Sequence, residues 1–217
     1  MKGFTRREGS RAALDPGMLA TALVTTMVTI FVAELTDKDA LFLLALATKT
    51  KPSIVFVSGS VAFAVSTAII VGLGSVLIAL VPVFYIKLAG GVVMVGYAVF
   101  EYYRFTNEKR AVDEREERLL GKAAGGALSV IFPAILTLVL LDLAGDGTEL
   151  VTIVLLARFQ DALVVYAGAV IGLVGAVAVE TTLGNRLARV ISPSRLRYLS
   201  IAVFLVIGTA VIATTIL

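Results

Sequence analysis

The 217-residue sequence contains no cysteine and no histidine. Without cysteine it has no disulfide framework and no thiolate site for a soft metal ion. Without histidine it lacks the commonest proton carrier near neutral pH and the commonest ligand of transition metals. Any metal or proton chemistry therefore has to rely on carboxylates and other oxygen groups.

Charged residues are also few, since they make up 16% of the chain, whereas hydrophobic residues make up 59%. This balance, with a mean hydropathy of +0.98, is far from that of a soluble domain and predicts an integral membrane protein. The formal charge of +3 lies mostly in tails and loops, where it favours anionic lipid head groups, and no nucleic-acid motif is present. The apolar stretch behind the basic N-terminus is too long for a signal-peptide core, so we expect it to be retained.

Six apolar stretches reach the length of roughly 20 residues that a transmembrane helix needs. They lie at about residues 18–48, 53–80, 82–104, 124–157, 160–188 and 196–216. The sequence therefore predicts an all-α membrane protein with six transmembrane helices. Its predicted parts are a basic tail (1–17), a first three-helix repeat (18–104), a charged central linker (105–123) and a second three-helix repeat (124–217).

The two predicted halves resemble each other around their acidic residues. The segment AELTDKDALFLLAL aligns with LAGDGTELVTIVLL, which places Asp37 over Asp146 at an offset of 146 − 37 = 109, and Gly59 falls over Gly168 at the same offset. With three spans in each half, the second copy would enter the bilayer from the opposite side. Such inverted repeats are common in secondary transporters, whose substrate site lies near the midplane. A chance likeness between two Leu/Val/Ala-rich segments is the alternative.

The distribution of basic residues gives an orientation. Twelve Lys and Arg lie in, or at the span ends that border, the linkers after the first, third and fifth predicted spans, and six lie towards the other side. The positive-inside rule then places the central linker in the cytoplasm, and we expect the membrane to be the plasma (inner) membrane of a prokaryote. The four basic residues of the N-terminal tail oppose this orientation.

Each half carries an acidic cluster within its first apolar run. In the first half, Glu34 and Asp37 are spaced i, i+3 and are followed by Lys38 and Asp39. The second cluster, spaced i, i+4, i+7, consists of Asp142, Asp146 and Glu149. A charge at the bilayer centre costs at least ~2.5–3.5 kcal/mol, so the clusters should face inward and hold cations or protons. The run 18–48 is too long for one untilted span, and we expect it to be tilted or interrupted at its cluster.

Oxygen ligands of this kind suit hard cations such as Ca²⁺, Mn²⁺ and Mg²⁺. The candidate metal ligands are Glu34, Asp37, Asp39, Asp142, Asp146 and Glu149. Lys38 is expected to balance their charge. Because metal binding displaces protons from such carboxylates, the site offers a direct route to metal/proton exchange.

Structural roles are the alternative for several polar residues in the spans. A hydrogen bond or ion pair between helices is the alternative for the central carboxylates, and contact with head groups is the alternative for Glu149. We expect Asp161 and Glu180 to lie among the head groups. The hydroxyl residues of the second and fifth spans are expected to serve helix packing; they are Ser58, Ser60, Ser66, Thr67, Thr181 and Thr182.

At these acidic residues the sequence resembles the small six-span cation/proton antiporters of Golgi, thylakoid and bacterial membranes, which are often grouped with the lysine-exporter superfamily. That family carries the motif Glu-x-Gly-Asp-Lys/Arg-Ser/Thr once in each inverted half. The first copy here reads Glu34-Leu-Thr-Asp-Lys-Asp39, and the second reads Leu143-Ala-Gly-Asp-Gly-Thr148. The first copy departs from the motif at Thr36 and Asp39. In the second, Leu143 stands where the family has Glu, with an acid, Asp142, one position earlier, and Gly147 replaces the basic residue.

The resemblance implies a secondary transporter that moves Mn²⁺ or Ca²⁺ in exchange for protons, with one half rocking against the other. We expect no enzyme activity, no catalytic residues and no resident cofactor. The expected partners are membrane lipid, the divalent cation and protons, and a homodimer is compatible with this interpretation. Three alternatives stay open: an exporter of a small organic cation or amino acid, a cation channel, and a membrane scaffold that transports nothing.

Overall fold

A computed structural model describes residues 15–35, 38–107, 121, 131–133, 135–136, 147–190 and 193–217. Within this part of the chain, every regular element is an α-helix. The longer helices are α1 (Pro16–Leu35), α2 (Lys38–Lys49), α3 (Pro52–Leu80), α4 (Val83–Asn107), α5 (Gly147–Phe159), α6 (Ala162–Val190) and α7 (Pro193–Ile216). Residues 131–133 and 135–136 are also helical.

Four stretches of these helices are long and apolar enough to cross a membrane. They are Pro16–Leu35, Pro52–Leu80, Val83–Phe100 and Ala162–Thr182, and a shorter apolar stretch covers Ile201–Ile216. The all-helical class and the membrane location predicted from composition are therefore confirmed. Most of the predicted fourth span, 124–157, lies outside the described residues.

The first apolar run, predicted to be tilted or interrupted, forms two helices. Helix α1 ends at Leu35 and α2 begins at Lys38, so the change of element falls within the acidic cluster. The other helix starts lie close to the predicted ones, because Pro52 and Pro193 each occupy the first position of a helix. Proline is favoured there since the first backbone N–H of a helix has no helical acceptor.

The turn between α5 and α6 needs two residues. The backbone of Gln160 is left-handed, with a φ of 55°, and its N–H donates to the carbonyl oxygen of Leu156 at 2.8 Å, which ends α5. The Oδ1 atom of Asp161 accepts hydrogen bonds from the N–H groups of Leu163 and Val164, at 3.1 and 3.0 Å. Asp161, which we expected among the head groups, therefore caps the start of α6.

Helices of the two halves match in length and in burial. The pairs α2/α5, α3/α6 and α4/α7 have 12 and 13, 29 and 29, and 25 and 24 residues. Helix α6 begins 162 − 52 = 110 positions after α3. The nine buried residues of α3 from Val55 to Val71 each have a buried counterpart 110 positions later, from Val165 to Thr181. The two helices therefore present equivalent faces to the interior.

Helix α3 has an exposed face that is apolar from Val57 to Leu73 and a buried face that includes small polar residues. Its exposed face carries Val57, Val61, Val65, Ile69 and Leu73, at a spacing of four residues. Its buried face includes Ser58, Ser66 and Thr67. This is the distribution expected where the surroundings are lipid, because the exposed face gains nothing from polarity and small polar residues allow close helix packing.

Glycines let two pairs of helices approach to backbone contact. A Cβ atom added at Gly172 of α6 would lie 2.5 Å from the carbonyl oxygen of Met27 in α1, and one at Gly168 would lie 2.8 Å from that of Leu23. Helices α4 and α7 meet in the same way, since a Cβ at Gly208 would lie 3.0 Å from the carbonyl oxygen of Gly91. These approaches fix α1 against α6 and α4 against α7.

Candidate functional site

Glu34 lies in the last turn of α1 and is 1% exposed. Its Oε2 atom accepts a hydrogen bond of 3.1 Å from the hydroxyl group of Thr148, the second residue of α5. The first turn of a helix carries the positive end of the helix dipole, so α5 stabilises a negative charge placed there. A carboxylate from the first half is thus held by a helix of the second half.

A small pocket surrounds this contact. It is lined by Glu34, Phe63, Ser66, Thr67, Ile70, Thr148, Glu149, Thr152 and Leu173. Its free volume of about 10 Å³ is close to the room that one water molecule needs. The lining brings together side chains of four helices, α1, α3, α5 and α6.

The pocket offers oxygen ligands only. Two carboxylates and four hydroxyl groups line it. The hydroxyl of Ser66 donates to the carbonyl oxygen of Phe63 at 3.0 Å, and that of Thr152 donates to the carbonyl oxygen of Thr148 at 2.9 Å. Because each hydrogen points to the backbone, the lone pairs of these oxygens can face a cation. Such a ligand set suits a hard cation.

The predicted ligands divide into three groups. Glu34 and Glu149, predicted from opposite halves, line the same pocket. Asp39 and the charge-balancing Lys38 lie in the first turn of α2, where the structure describes the backbone alone. Asp37, Asp142 and Asp146 lie outside the described residues. In the part of the chain that is described, no group of three or more Asp or Glu side chains could hold a metal ion.

Four polar residues of the pocket were not among the predicted ligands. Ser66 and Thr67 were assigned to helix packing, Thr148 was named only as the last residue of the second motif copy, and Thr152 was not singled out. Thr148 and Thr152 are four residues apart, so they share one face of α5. The Ser/Thr position of the motif was the available signal for Thr148, and the spacing of four leads from it to Thr152.

Glu180 is buried, which corrects the expectation that it lies among the head groups. It is 2% exposed, because it belongs to the face of α6 that includes Ala176 and Val177 and that packs inside the protein. Among the described residues, neither carboxyl oxygen of Glu180 has a hydrogen-bond partner. A buried carboxyl group without a partner is costly and therefore uncommon.

Comparison with known proteins identifies the family of this chain. The family model described as "Divalent cation/proton antiporter GDT1" matches two segments, residues 22–109 and 131–216. The starts of these segments are separated by 131 − 22 = 109 positions, the offset at which the acidic clusters align. No curated protein and no solved structure matches the chain. The two segments cover most of the sequence, so the resemblance inferred from the motifs is confirmed and the chain belongs to the divalent cation/proton antiporter GDT1 family.

Proposed function

We propose that this protein exchanges a divalent cation, Mn²⁺ or Ca²⁺, for protons at the pocket around Glu34. The observation that carries this proposal is the hydrogen bond between Glu34 of α1 and Thr148 of α5, within a pocket that Glu149 also lines. The contact joins the two acidic motifs through buried groups. A cation entering this pocket would meet carboxylate charge and hydroxyl oxygens without crossing an apolar layer between the motifs.

The remaining motif carboxylates would complete the cation site. Asp37 immediately precedes the first residue of α2, and Asp146 immediately precedes the first residue of α5. Acidic residues at these positions are favoured by the dipole of the following helix. With Glu34 and Glu149 they would supply the oxygens that Ca²⁺ or Mn²⁺ needs, and the same carboxylates could take protons after the cation leaves.

We further propose that the fold has six spans in two inverted repeats. The matched helix lengths and the matched buried faces of α3 and α6 support the duplication. The direction of α4 and α7 supports the inversion, because Gly91 lies beside Ile212 whereas Tyr97, further along α4, packs on Phe204 at 5.2 Å between ring centroids. These two counterpart helices are therefore antiparallel. A site where such repeats meet suits alternating access.

We propose the orientation of the protein in the membrane from the distribution of its basic residues. In this orientation the central linker, 105–123, faces the cytoplasm of a prokaryotic cell. Thiol labelling of a single cysteine introduced in this linker tests it directly, because the natural chain has no cysteine. Labelling of intact cells by a reagent that cannot cross the membrane would contradict the proposal.

Flux into proteoliposomes tests the exchange itself. We expect the purified protein to take up Mn²⁺ or Ca²⁺ when the lumen is acidic, and the lumen to become less acidic as the cation enters. Comparing the uptake rates of Mn²⁺ and Ca²⁺, measured separately at matched concentrations, shows which cation is the better substrate. Cation movement that leaves the internal pH unchanged would favour a channel, and movement of neither ion would overturn the proposal.

Removing the hydroxyl that holds Glu34 should weaken cation binding. Thr148→Val keeps the shape of the side chain and deletes the hydrogen bond to Oε2, so Glu34 loses its orientation. We expect the apparent Kd for the transported cation to rise about tenfold, the scale seen when groups that orient metal ligands are removed. The apparent Kd is obtained by measuring uptake as a function of cation concentration.

Thr21→Val is the matched control for that substitution. The hydroxyl group of Thr21 is exposed on α1 and bonds to the carbonyl oxygen of Gly17, within its own helix. We expect uptake by Thr21→Val to depend on cation concentration as it does in the wild type. Equal behaviour of the two variants would show that the contact with Glu34 does not serve cation binding.

A further inference from the structure

The α3 side of the pocket around Glu34 has a counterpart on α6, the equivalent helix of the other half. On α3 its lining residues are Phe63, Ser66, Thr67 and Ile70. Their counterparts 110 positions later on α6 are Leu173, Ala176, Val177 and Glu180, and all four are buried. Ile70 of α3 thus corresponds to an acid, Glu180, on α6.

Helix α2 is the counterpart of α5, which supplies the other side of the Glu34 pocket. At the offset of 109, Thr148, Glu149 and Thr152 of α5 correspond to Asp39, Ala40 and Leu43 of α2. Contacts on α3 support this arrangement. A Cβ atom added at Gly59 of α3 would lie 3.2 Å from a side-chain atom of Val177 in α6 and 3.7 Å from one of Leu43 in α2. Residues of α2 and α6 therefore meet on α3 as the repeat requires.

The residues that line the Glu34 pocket and their counterparts differ in chemistry. The position of Glu34 corresponds to Leu143, so the second half has lost one acid, and Glu180 places an acid elsewhere on the lining. Hydroxyl groups are lost as well, since Ser66 and Thr67 correspond to Ala176 and Val177, and Thr152 corresponds to Leu43. Among the side chains that the structure describes, the counterparts of the pocket lining are therefore apolar apart from Glu180.

Few charged groups lie on the helices that pack against α6. Helix α3 has none, and α1 has Glu34 alone. The others are Lys38, Asp39 and Lys49 on α2, and Glu149 and Arg158 on α5. A divalent cation such as Ca²⁺ needs about six to eight oxygen ligands, which this lining lacks in the residues described. A proton needs one carboxyl oxygen.

We propose that the two halves are specialised, so that the Glu34 pocket binds the cation and Glu180 binds the proton that is exchanged for it. The inference rests on the proposed antiport function and adds the residue that carries the proton. The carboxylate of Glu180 takes a proton from water on one side of the membrane and returns it on the other; no other bond forms or breaks.

The separation between the Glu34 pocket and Glu180 allows a charge at one to act on the other. Leu173 lines the Glu34 pocket, and Glu180 lies seven residues further on the same buried face, about two turns or ~10 Å of helix. Two charges at roughly this separation inside a protein interact more strongly than in water, because the interior has a low dielectric constant and excludes salt. Cation entry can therefore favour proton loss from Glu180.

Glu180→Gln tests the assignment, since glutamine has the size of the acid but does not titrate in this range. We measure two reactions of proteoliposomes: cation uptake driven by a proton gradient, and exchange of isotopically labelled Mn²⁺ or Ca²⁺ for the same unlabelled ion at equal pH. We expect proton-driven uptake to fall about tenfold or more, within the range of coupling between two ligands. Exchange of cation for cation should keep its wild-type rate.

Two further variants make the result specific. Asp161→Asn removes the acid that caps the start of α6. Because asparagine caps a helix equally well, both reactions should persist in this variant. Glu180→Asp keeps a titrating group, and proton-driven uptake should exceed that of Glu180→Gln.

The outcomes separate the two proposals. Proton-driven uptake that survives in Glu180→Gln would overturn this inference alone. Loss of both reactions in Glu180→Gln and Glu180→Asp would show that Glu180 supports the fold and would also overturn it. A wild-type protein that moves no cation would overturn the proposed function, and this inference with it.

Discussion

Cation transport should be lost when Glu34 is replaced by glutamine. The substitution keeps the size of the side chain and an oxygen that can accept the hydrogen bond from Thr148, but it removes the negative charge from the pocket. A neutral amide cannot offset the cost of stripping water from a divalent cation. We expect initial uptake at subsaturating cation concentration to fall about 100-fold or more, beyond the ~10–100-fold typical of groups that only orient metal ligands.

Asp15→Asn is the control for this substitution. Asp15 is exposed and lies just before α1, the helix that carries Glu34, so the variant removes an acid from the same part of the chain. Its uptake should match that of the wild type. If Glu34→Gln transports at the wild-type rate while its internal pH changes as before, Glu34 is not a ligand of the cation.

The second large effect should come from Gly172→Ala. The added methyl group would lie 2.5 Å from the carbonyl oxygen of Met27 and 3.1 Å from the backbone nitrogen of Phe31. Both are backbone atoms, which cannot turn aside, so α1 has to move away from α6. Overpacking of this kind costs about 1–3 kcal/mol, and the displacement of α1 carries Glu34 with it. We expect a lower melting temperature in detergent and loss of uptake.

Gly72→Ala separates this clash from the general effect of adding a methyl group to a helix. Gly72 lies on α3, and a Cβ added there meets no atom within 4 Å. Because alanine favours a helix over glycine by about 0.8–1.0 kcal/mol, this variant should be as stable as the wild type or more stable. Equal melting temperatures for the two variants would contradict the close contact between α1 and α6.

Features marked by charge, proline or duplication could be predicted from the sequence. The acidic cluster around Asp37 located the end of α1 and the start of α2, because unpaired charge rarely lies within a continuous apolar helix. Pro52 and Pro193 marked helix starts for a steric reason that does not depend on the surroundings. The pairing of Glu34 with the cluster of Glu149 followed from the duplication alone.

The sequence did not reveal which face of each helix is buried. In water the apolar face identifies the core, but in lipid both faces can be apolar, and α3 carries valine outward and serine inward. Hydrophobic periodicity therefore could not place Ser66 and Thr67 in the pocket. Nor could it show that Glu180 is enclosed, since its distance from the end of the apolar stretch was equally compatible with head groups.

The glycine contacts restrict which helices can move apart during transport. Where backbones touch without side chains between them, as at Gly172 and Gly208, no rotamer change can take up a shift. We therefore expect α1 with α6, and α4 with α7, to travel as rigid bodies that each join helices of both halves, in place of the rocking of one half against the other. Helix α5 instead meets its neighbours through side chains, with Leu156 against Gly74 and Val154 against Gly90. The gate that exposes Glu34 should accordingly open along the surface of α5.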